Sequence, residues 1–307
     1  MRFWALLLGI MTAIGLSVGI YFTQATPLYV ATEPVLERGG NADRGRGIFF
    51  AGGCASCHAT PGQSDPLKLG GGLELKSPYG SFFAPNISPD PDDGIGRWST
   101  TDLVNAMQAG VSPQGEHYFP AFPYTTYAHA KVEDIRDLMA YLRTLEPVRG
   151  RAPAHTLKFP FSIRRAVGVW KALYFDRSPI NPDPAQTDEW NRGRYLVEAL
   201  GHCAECHSAR DLLGGIESRY RYAGGPDVEG HGWVPNITQH KDGIGDFSKS
   251  DIVALLKTGE LPEADSVSGA MMAVVRNMAK LSDDDLSAMA EFLKSLSARP
   301  SPPKPPK

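Results

Sequence analysis

All four cysteines of the chain lie in two copies of one short motif. The motif is C-x-x-C-H, which stands as C-A-S-C-H at residues 54–58 and as C-A-E-C-H at residues 203–207. Two thiols one helical turn apart can add to the two vinyl groups of a haem, and the following imidazole can then bind the iron. The sequence therefore predicts two covalently bound haem c groups. Their attachment and proximal iron-binding residues are Cys54, Cys57 and His58 in the first motif and Cys203, Cys206 and His207 in the second.

Three other interpretations of the cysteines fit less well. A thioredoxin-type redox pair would lie at the junction of a strand and a helix, and no strand pattern surrounds either motif. One zinc ion shared by two C-x-x-C pairs usually has about 15–20 residues between the pairs, whereas these motifs are far more widely separated. Two small disulfides would leave both following histidines unexplained. Haem attachment accounts for all six residues.

The N-terminal segment predicts an exported protein. After Arg2, residues 3–22 are almost wholly apolar. Twenty such residues form a helix of about 30 Å, which is enough to cross a bilayer. A cleaved signal peptide is the alternative, but residues 23–26 form only a poor cleavage site. We therefore expect residues 1–26 to be a transmembrane anchor, with Arg2 keeping the N-terminus in the cytoplasm and the remaining chain outside it.

The two halves of the chain repeat each other, because Cys203 follows Cys54 after 149 residues and other segments return at nearly the same offset. These segments are F-A-P-N-I-S at 83–88 and W-V-P-N-I-T at 233–238, D-G-I-G at 93–96 and 242–245, and a helix opened by Ser-x-x-Asp at 99–110 and 248–259. The Ser-x-x-Asp pattern predicts a capping box. Asn86 and Asn236 match glycosylation sequons, but their equivalent places in the repeat favour a turn that packs against haem.

Each half ends in an amphipathic helix, at residues 132–144 and 282–296. The predicted fold class is mostly α, with two tandem class I cytochrome c domains after one N-terminal transmembrane helix. The domains are expected at residues 40–147 and 188–297, with a linker at 148–187 and a disordered, proline-rich tail at 298–307. Within the linker, residues 161–175 are apolar and basic. They predict a helix that bridges the two domains, with a membrane-surface helix as the alternative.

A second axial ligand is expected for each iron, and in exported cytochromes it is most often methionine. Met271 lies in the loop before the last helix and is the predicted ligand of the second haem, with Met272 and Met278 as weaker alternatives. The repeat places Phe122 at the position that corresponds to Met271. Because phenylalanine cannot bind iron, the first haem is either five-coordinate or bound by another residue.

The predicted replacement for the missing methionine is His117, five residues upstream of Phe122 in the same loop. His129 is the next candidate, whereas Met107 is interpreted as a core residue because the repeat has Leu256 there. Four other histidines are interpreted as loop or surface residues: His155, His202, His231 and His240. The sequence therefore predicts two haem sites with different sixth ligands.

From about residue 40 to 296 the chain resembles the membrane-anchored dihaem cytochrome c subunits of bacterial periplasmic alcohol, gluconate and aldehyde dehydrogenases. The most specific segments are residues 54–58, 84–90, 118–124, 190–207 and 269–281. Those subunits often carry three haems, and their first ligand loop often reads P-A-M-P-Y, where this chain has Phe122. The resemblance implies a periplasmic dehydrogenase as electron donor, with quinone, a soluble cytochrome or a terminal oxidase as acceptor. It also implies location at the bacterial inner membrane, with the haem domains facing the periplasm.

Composition and motifs exclude several other functions. The formal net charge of −3 does not indicate a nucleic-acid partner. The sequence contains no Walker loop, Rossmann glycine pattern or Ser/His/Asp set, so we expect an electron-transfer subunit without substrate chemistry of its own. The alternative is a dihaem enzyme, such as a peroxidase or a thiosulfate-type oxidoreductase, that uses a weakly ligated first haem.

Overall fold

The computed structural model describes residues 2–30, 36, 39–230, 232–262 and 265–304, and the mostly helical prediction is confirmed. The chain begins with helix α1 (Arg2–Phe22), which is apolar and long enough to cross a membrane; this indicates an anchor or a signal sequence by length and composition alone. Two helical domains follow, joined by a linker that contains one longer helix.

The first domain contains five helices and most of a small antiparallel sheet. The helices are α2 (Ala42–Ala51), α3 (Cys54–His58), α4 (Thr100–Val104), which continues into a π-helical turn (Asn105–Ala109), α5 (Tyr124–Tyr127) and α6 (Val132–Leu142). Strands β1 (Glu74–Ser77) and β2 (Gly80–Phe83) pair with each other, and β2 also pairs with β3 (Thr156–Leu157) from the linker. The linker helix is α7 (Val167–Tyr174).

The second domain repeats this order. Its helices are α8 (Asp188–Tyr195), which continues into a π-helical turn (Leu196–Leu200), α9 (Cys203–Cys206), α10 (Lys249–Thr258), α11 (Met271–Met278) and α12 (Asp283–Lys294). Two short hairpins accompany them: β4 (Gly225–Pro226) with β5 (Trp233–Val234), and β6 (Glu260–Leu261) with β7 (Asp265–Ser266). The predicted capping boxes open α4 and α10, where the hydroxyls of Ser99 and Ser248 accept the backbone N–H groups of Asp102 and Asp251.

The first and last helices of each domain cross in direct backbone contact. A Cβ atom on Gly45 of α2 would lie 1.9 Å from the carbonyl oxygen of Asp137 in α6. The same atom on Gly193 of α8 would lie 1.8 Å from the carbonyl oxygen of Ala288 in α12. Only glycine permits this approach, so the crossing requires glycine at both positions. The crossing lies beside the haem-attachment motif that follows α2 or α8.

Two buried asparagines hold the chain segment that leaves each domain. Asn86 Nδ2 donates to the carbonyl oxygens of Val148 and Gly150, at 2.7 and 2.9 Å. Asn236 Nδ2 donates to the carbonyl oxygen of Arg299 at 2.8 Å and to Ser301 Oγ at 3.2 Å. Both side chains are buried, which agrees with a packing role and not with glycosylation.

The expectation of a disordered tail is wrong for residues 299–304. The backbone N–H of Arg299 donates to Thr238 Oγ1 at 3.1 Å, Pro302 is buried, and the ammonium group of Lys304 lies 5.5 Å from the ring centre of Trp233. Proline fixes the tail in an extended form, so little further entropy is lost when it packs. Residues 305–307 lie outside the described part of the chain.

Candidate haem sites

Each C-x-x-C-H motif forms a short helix, which includes His58 in the first domain and ends directly before His207 in the second. In the first motif, His58 Nδ1 donates to the carbonyl oxygen of Pro85 at 2.8 Å. In the second, His207 Nδ1 donates to the carbonyl oxygen of Pro235 at the same distance. A proton held on Nδ1 leaves the lone pair of Nε2 for a metal and fixes the direction of the ring. Both imidazoles are therefore oriented as iron ligands.

The proline carbonyls are functional groups that sequence reasoning did not identify. Pro85 and Pro235 occupy equivalent places in the repeated P-N-I segments. The repeat predicts a turn that packs against haem, but it does not predict the contact between the proline carbonyl and the proximal histidine. Repetition of the same tripeptide in both halves, beginning 27 residues after His58 and 28 residues after His207, is the signal that points to the proximal histidine.

The four thiols lie in surroundings that favour their neutral form. Burial raises the pKa of Cys54 and Cys203 to about 12, and that of Cys57 to about 11. Burial also raises the pKa of Cys206. Thiols of this kind differ from the thiolates of a redox pair or a zinc site. Moreover, no cluster of three or more His, Cys, Asp or Glu side chains suited to a metal ion occurs among the described residues.

The residues present therefore fit a covalently bound haem in each domain. All four cysteines are free thiols one turn apart in pairs. Burial lowers the pKa of His58 and His207, which keeps each imidazole neutral, as a metal ligand must be. This combination of an oriented neutral imidazole and a neutral thiol pair occurs twice, once in each half.

In the second domain, Met271 is the first residue of α11. Its side chain is half-buried and packs against the core, whereas Met272 is exposed and Met278 is fully buried at the far end of the helix. Of the three methionines, only Met271 is both half-buried and at the start of the helix. Iron ligation by Met271 stays a prediction.

The corresponding place in the first domain is occupied by aromatic side chains. Phe122 is partly buried, and its ring centre lies 5.6 Å from that of Tyr118 and 5.8 Å from that of Tyr127. Tyr127 is also fixed by its hydroxyl, which donates to the carbonyl oxygen of Gly52 at 2.6 Å. The first domain thus presents a phenylalanine held among tyrosines where the second presents a methionine.

The structure places His117 against the end of α1. Its Nε2 lies 3.0 Å from the carbonyl oxygen of Thr23, and its own carbonyl oxygen accepts from Arg164 at 2.8 Å. The Nδ1 atom is buried and has no hydrogen-bond partner among the described residues. The contact with Thr23 favours a structural role for His117 over iron ligation. The next candidate, His129, uses Nδ1 to contact the carbonyl oxygen of Ser178 at 2.6 Å.

His202, interpreted as a loop or surface residue, lies in the loop directly before α9 and packs against the other domain. Its ring is 5.9 Å from that of Tyr127 in the other domain, and burial lowers its pKa. His155 is half-buried and its Nδ1 accepts the backbone N–H of Phe83 at 3.1 Å. His240 is half-buried beside Asp242. His231 lies outside the described residues.

The two motifs also make the contacts that join the domains. The residue before the second cysteine is Ser56 in the first motif and Glu205 in the second. Ser56 Oγ accepts Asn277 Nδ2 of α11 at 2.8 Å and donates to the carbonyl oxygen of Ala273 at 3.3 Å. Ser56 of the first motif thus contacts α11, the helix that precedes the last helix of the second domain.

Glu205 makes the reciprocal contact as a charged group. Its Oε1 accepts the hydroxyl of Thr125 of α5 at 2.6 Å, and its Oε2 accepts Arg210 Nη2 at 2.6 Å. Burial opposes ionisation of this carboxyl, but Arg210 and Thr125 hold its pKa below the ordinary value. Sequence reasoning missed this contact, because nothing in a local pattern shows which surfaces of two domains meet.

Comparison with known proteins agrees with this duplication. The cytochrome c family model matches residues 42–146 and 191–297. A diheme cytochrome c-type protein of Cereibacter sphaeroides is 47% identical over 273 residues, which cover 88% of this chain and 91% of the relative.

Two longer relatives are dehydrogenase subunits. The fructose dehydrogenase cytochrome subunit of Gluconobacter japonicus is 37% identical over 259 residues, which cover 83% of this chain and 52% of the relative. The alcohol dehydrogenase (quinone) cytochrome c subunit of Gluconobacter oxydans is 34% identical over 268 residues, which cover 84% of this chain and 55% of the relative. The chain thus spans about half the length of these two subunits. Together with the two oriented C-x-x-C-H motifs, these matches show that the chain belongs to the cytochrome c family and has two cytochrome c domains for two haem c groups.

Proposed function

We propose that the protein is a membrane-anchored dihaem cytochrome c subunit that transfers electrons from a partner dehydrogenase towards the respiratory chain. The observation that carries this proposal is the duplicated site, in which each proximal histidine is oriented by a proline carbonyl at 2.8 Å. Relatives that cover more than four fifths of this chain bear the names of dehydrogenase cytochrome subunits, which supports a dehydrogenase as electron donor. Quinone, a soluble cytochrome or a terminal oxidase is the proposed acceptor.

The roles of the residues follow from their chemistry. The thiols of the two motifs hold the haems covalently, and His58 and His207 bind iron through Nε2. Each haem, when bound, supplies an iron that accepts and releases one electron. The thioether of Met271 is a soft ligand, which favours ferrous iron and raises the reduction potential of the second haem.

Two roles are compared for His117: iron ligation at the first haem and support of α1. Ligation by His117 requires its contact with Thr23 to break. Replacement of His117 with alanine distinguishes the two roles in the purified chain. If His117 binds iron, the first haem changes to a high-spin spectrum. If His117 only supports α1, the spectrum stays unchanged and the midpoint of thermal unfolding falls.

Membrane attachment rests on α1, which carries Arg2 at its start and no other charge. We propose that α1 remains as an anchor with its N-terminus in the cytoplasm, so that both haem domains face the periplasm of the bacterial inner membrane. Removal of residues 1–26 is expected to release the haem domains from membranes.

A second candidate function, a dihaem peroxidase or thiosulfate-type oxidoreductase, is favoured by one observation. Phe122 stands where a sixth ligand is expected, and an iron without that ligand can bind a small substrate. Binding of carbon monoxide to the reduced chain at one haem, together with rapid turnover of hydrogen peroxide, supports this alternative. Electron transfer alone predicts no peroxide turnover.

The decisive experiment isolates the full chain with a C-terminal tag from the membranes of the bacterium that encodes it. We expect a dehydrogenase to co-purify, and its substrate to reduce both haems without an added mediator, as followed by the visible spectrum of reduced haem. Alcohols, sugars, sugar acids and nicotinate are the substrate classes to test first, because the relatives are named for them. Absence of a dehydrogenase, together with peroxide turnover by the purified chain, contradicts the proposal.

A further inference from the structure

One face of the linker helix α7 is apolar and has no partner among the described residues. Val169 and Leu173, one turn apart, are 53% and 62% exposed, and Ala166 and Ala172 beside them are also exposed. Isolated exposed apolar residues are ordinary, but a continuous apolar helix face in a soluble domain indicates an interaction surface.

The other faces of α7 are occupied. On the side of the first domain, Lys171 Nζ donates to the carbonyl oxygens of Ala109 and Gly110, at 2.6 and 2.8 Å. On the side of the second domain, Trp170 Nε1 donates to the carbonyl oxygen of Leu213 at 3.0 Å. Contacts with both domains fix the rotation of α7 about its axis, so the exposed face is presented in a fixed direction.

The end of α1 lies directly against α7. A Cβ atom on Gly168 would lie 2.6 Å from Thr23 Cα, so the two backbones are in contact. Arg165 donates to Thr23 Oγ1 at 2.9 Å and to the carbonyl oxygen of Ile20 at 2.7 Å. If α1 crosses the bilayer, its last turn lies at the boundary of the hydrocarbon layer, and α7 lies within one helix diameter of that boundary.

The apolar surface continues beyond α7 into the second domain. Leu212 is 95% exposed and Leu213 is half exposed, in the turn that accepts the hydrogen bond from Trp170. Charge follows the same pattern, because residues 158–170 contain three basic residues, Lys158, Arg164 and Arg165, and no acidic one. An apolar face bordered by basic side chains is the composition of helices that lie in the headgroup layer of anionic membranes.

We propose that the surface formed by Val169, Leu173, Leu212 and Leu213, here named the α7 surface, rests in the interfacial layer of the membrane beside the end of α1. The inference rests on the anchor proposed above and goes beyond it. A single helix attaches the domains but leaves them free to turn about it, whereas a second contact fixes their orientation. The α7 surface therefore sets which side of the haem domains faces the membrane and which side is open to a dehydrogenase.

The test places one nitroxide label on the full chain in vesicles of phosphatidylcholine with phosphatidylglycerol. The haem-loaded chain is used, in which the four native thiols would be bound to haem and only an added cysteine can take the label. The three variants each add one cysteine: Ile14→Cys in α1, Val169→Cys in the α7 surface, and Val228→Cys at an exposed position elsewhere in the second domain. Collision of the label with oxygen, which concentrates in lipid, is compared with collision with a water-soluble nickel complex. We expect the oxygen-to-nickel ratio to be several-fold higher at position 169 than at position 228, and lower in vesicles of phosphatidylcholine alone.

Comparison of the three labelled positions shows whether the anchor or only the α7 surface has been assigned wrongly. A lipid-like ratio at position 14 with a water-like ratio at position 169 overturns the inference and leaves the anchor intact. Water-like ratios at both positions overturn the anchor and the inference together. A label at position 169 that is open to water until the co-purified dehydrogenase is added identifies the α7 surface as a protein-docking site, which also overturns the inference. Leu173→Cys repeats the measurement independently if Val169→Cys fails to fold.

Discussion

The two cytochrome domains differ most where they would be expected to agree. Both use a glycine at the helix crossing, a proline carbonyl behind the proximal histidine and a capping box on the middle helix. At the position where a distal iron ligand is expected, the second domain has Met271 and the first has Phe122. The two halves thus share the residues proposed to hold a haem and differ at the position proposed for the distal iron ligand.

The largest effect is expected from exchanging the distal residues. Met271→Phe removes a soft ligand and should lower the potential of the second haem, whereas Phe122→Met should raise that of the first, each by on the order of 0.2 V. A redox titration followed by haem absorbance measures both. If Met271→Phe leaves the potentials unchanged, Met271 is not a ligand and the proposed difference between the domains loses its basis.

The helix crossing that both domains share can be disrupted in one domain while the other stays unchanged. Gly45→Ala and Gly193→Ala each drive a methyl group into a backbone carbonyl, at 1.9 and 1.8 Å, and should cost about 3 kcal/mol or more of unfolding free energy in the domain concerned. Guanidinium unfolding followed by haem absorbance measures the loss. Gly47→Ala is the matched control, because a Cβ there meets nothing within 4 Å. Equal stability of Gly45→Ala and Gly47→Ala contradicts the close crossing.

The contacts between the domains are also unequal. Glu205→Gln leaves Arg210 without its counter-ion in a mostly buried site and should cost about 2–3 kcal/mol. Ser56→Ala removes a neutral contact and should cost about 1 kcal/mol. Glu217→Gln breaks a surface pair with Arg219 in one domain and should cost less than about 1 kcal/mol. Thermal unfolding ranks the three variants, and a Glu205→Gln loss no larger than that of Glu217→Gln refutes the stabilising role of the Glu205–Arg210 pair.

The last effect appears only as a change of stability with pH. Burial, aided by Arg177, lowers the pKa of Lys171 to about 7. Because the unfolded chain keeps the ordinary, higher pKa, it binds more protons than the folded chain between about pH 7 and 10.5, so the contribution of Lys171 to stability rises with pH across that window. Lys171→Met should remove this rise, whose slope is at most about 1.4 kcal/mol per pH unit.

The measurement for Lys171 is the free energy of unfolding at pH 7 and pH 9.5. Wild type should gain stability relative to Lys171→Met between these two values. Lys249→Met serves as the control, since ion pairs with Glu189 and Glu291 raise the pKa of Lys249 and move its effect above pH 10.5. Parallel stability profiles for wild type and Lys171→Met refute the shifted pKa.

The parts of this protein that repeat or follow a local rule were predictable from the sequence. The paired motifs, the capping boxes at Ser99 and Ser248, and the mostly helical fold depend on spacing within one half, and spacing is visible in the chain. The family match from 42 to 146 and from 191 to 297 lies close to the boundaries predicted from the repeat.

Contacts between distant segments were not predictable in the same way. The position of His202 between the domains, the hydrogen bond from Thr125 to Glu205, and the docking of residues 299–304 all depend on how folded surfaces meet. The proline-rich tail shows the reason most clearly. Its composition is typical of a disordered segment, yet one buried asparagine, Asn236, binds its backbone.

The central claim is that the two haems differ because their distal residues differ. A redox titration of the full-length chain, followed by optical and electron paramagnetic resonance spectra, tests it directly. We predict two separate one-electron steps, with the higher potential and the methionine–iron charge-transfer band belonging to the haem at Cys203 and Cys206. Two superimposed steps with identical ferric spectra would contradict the claim.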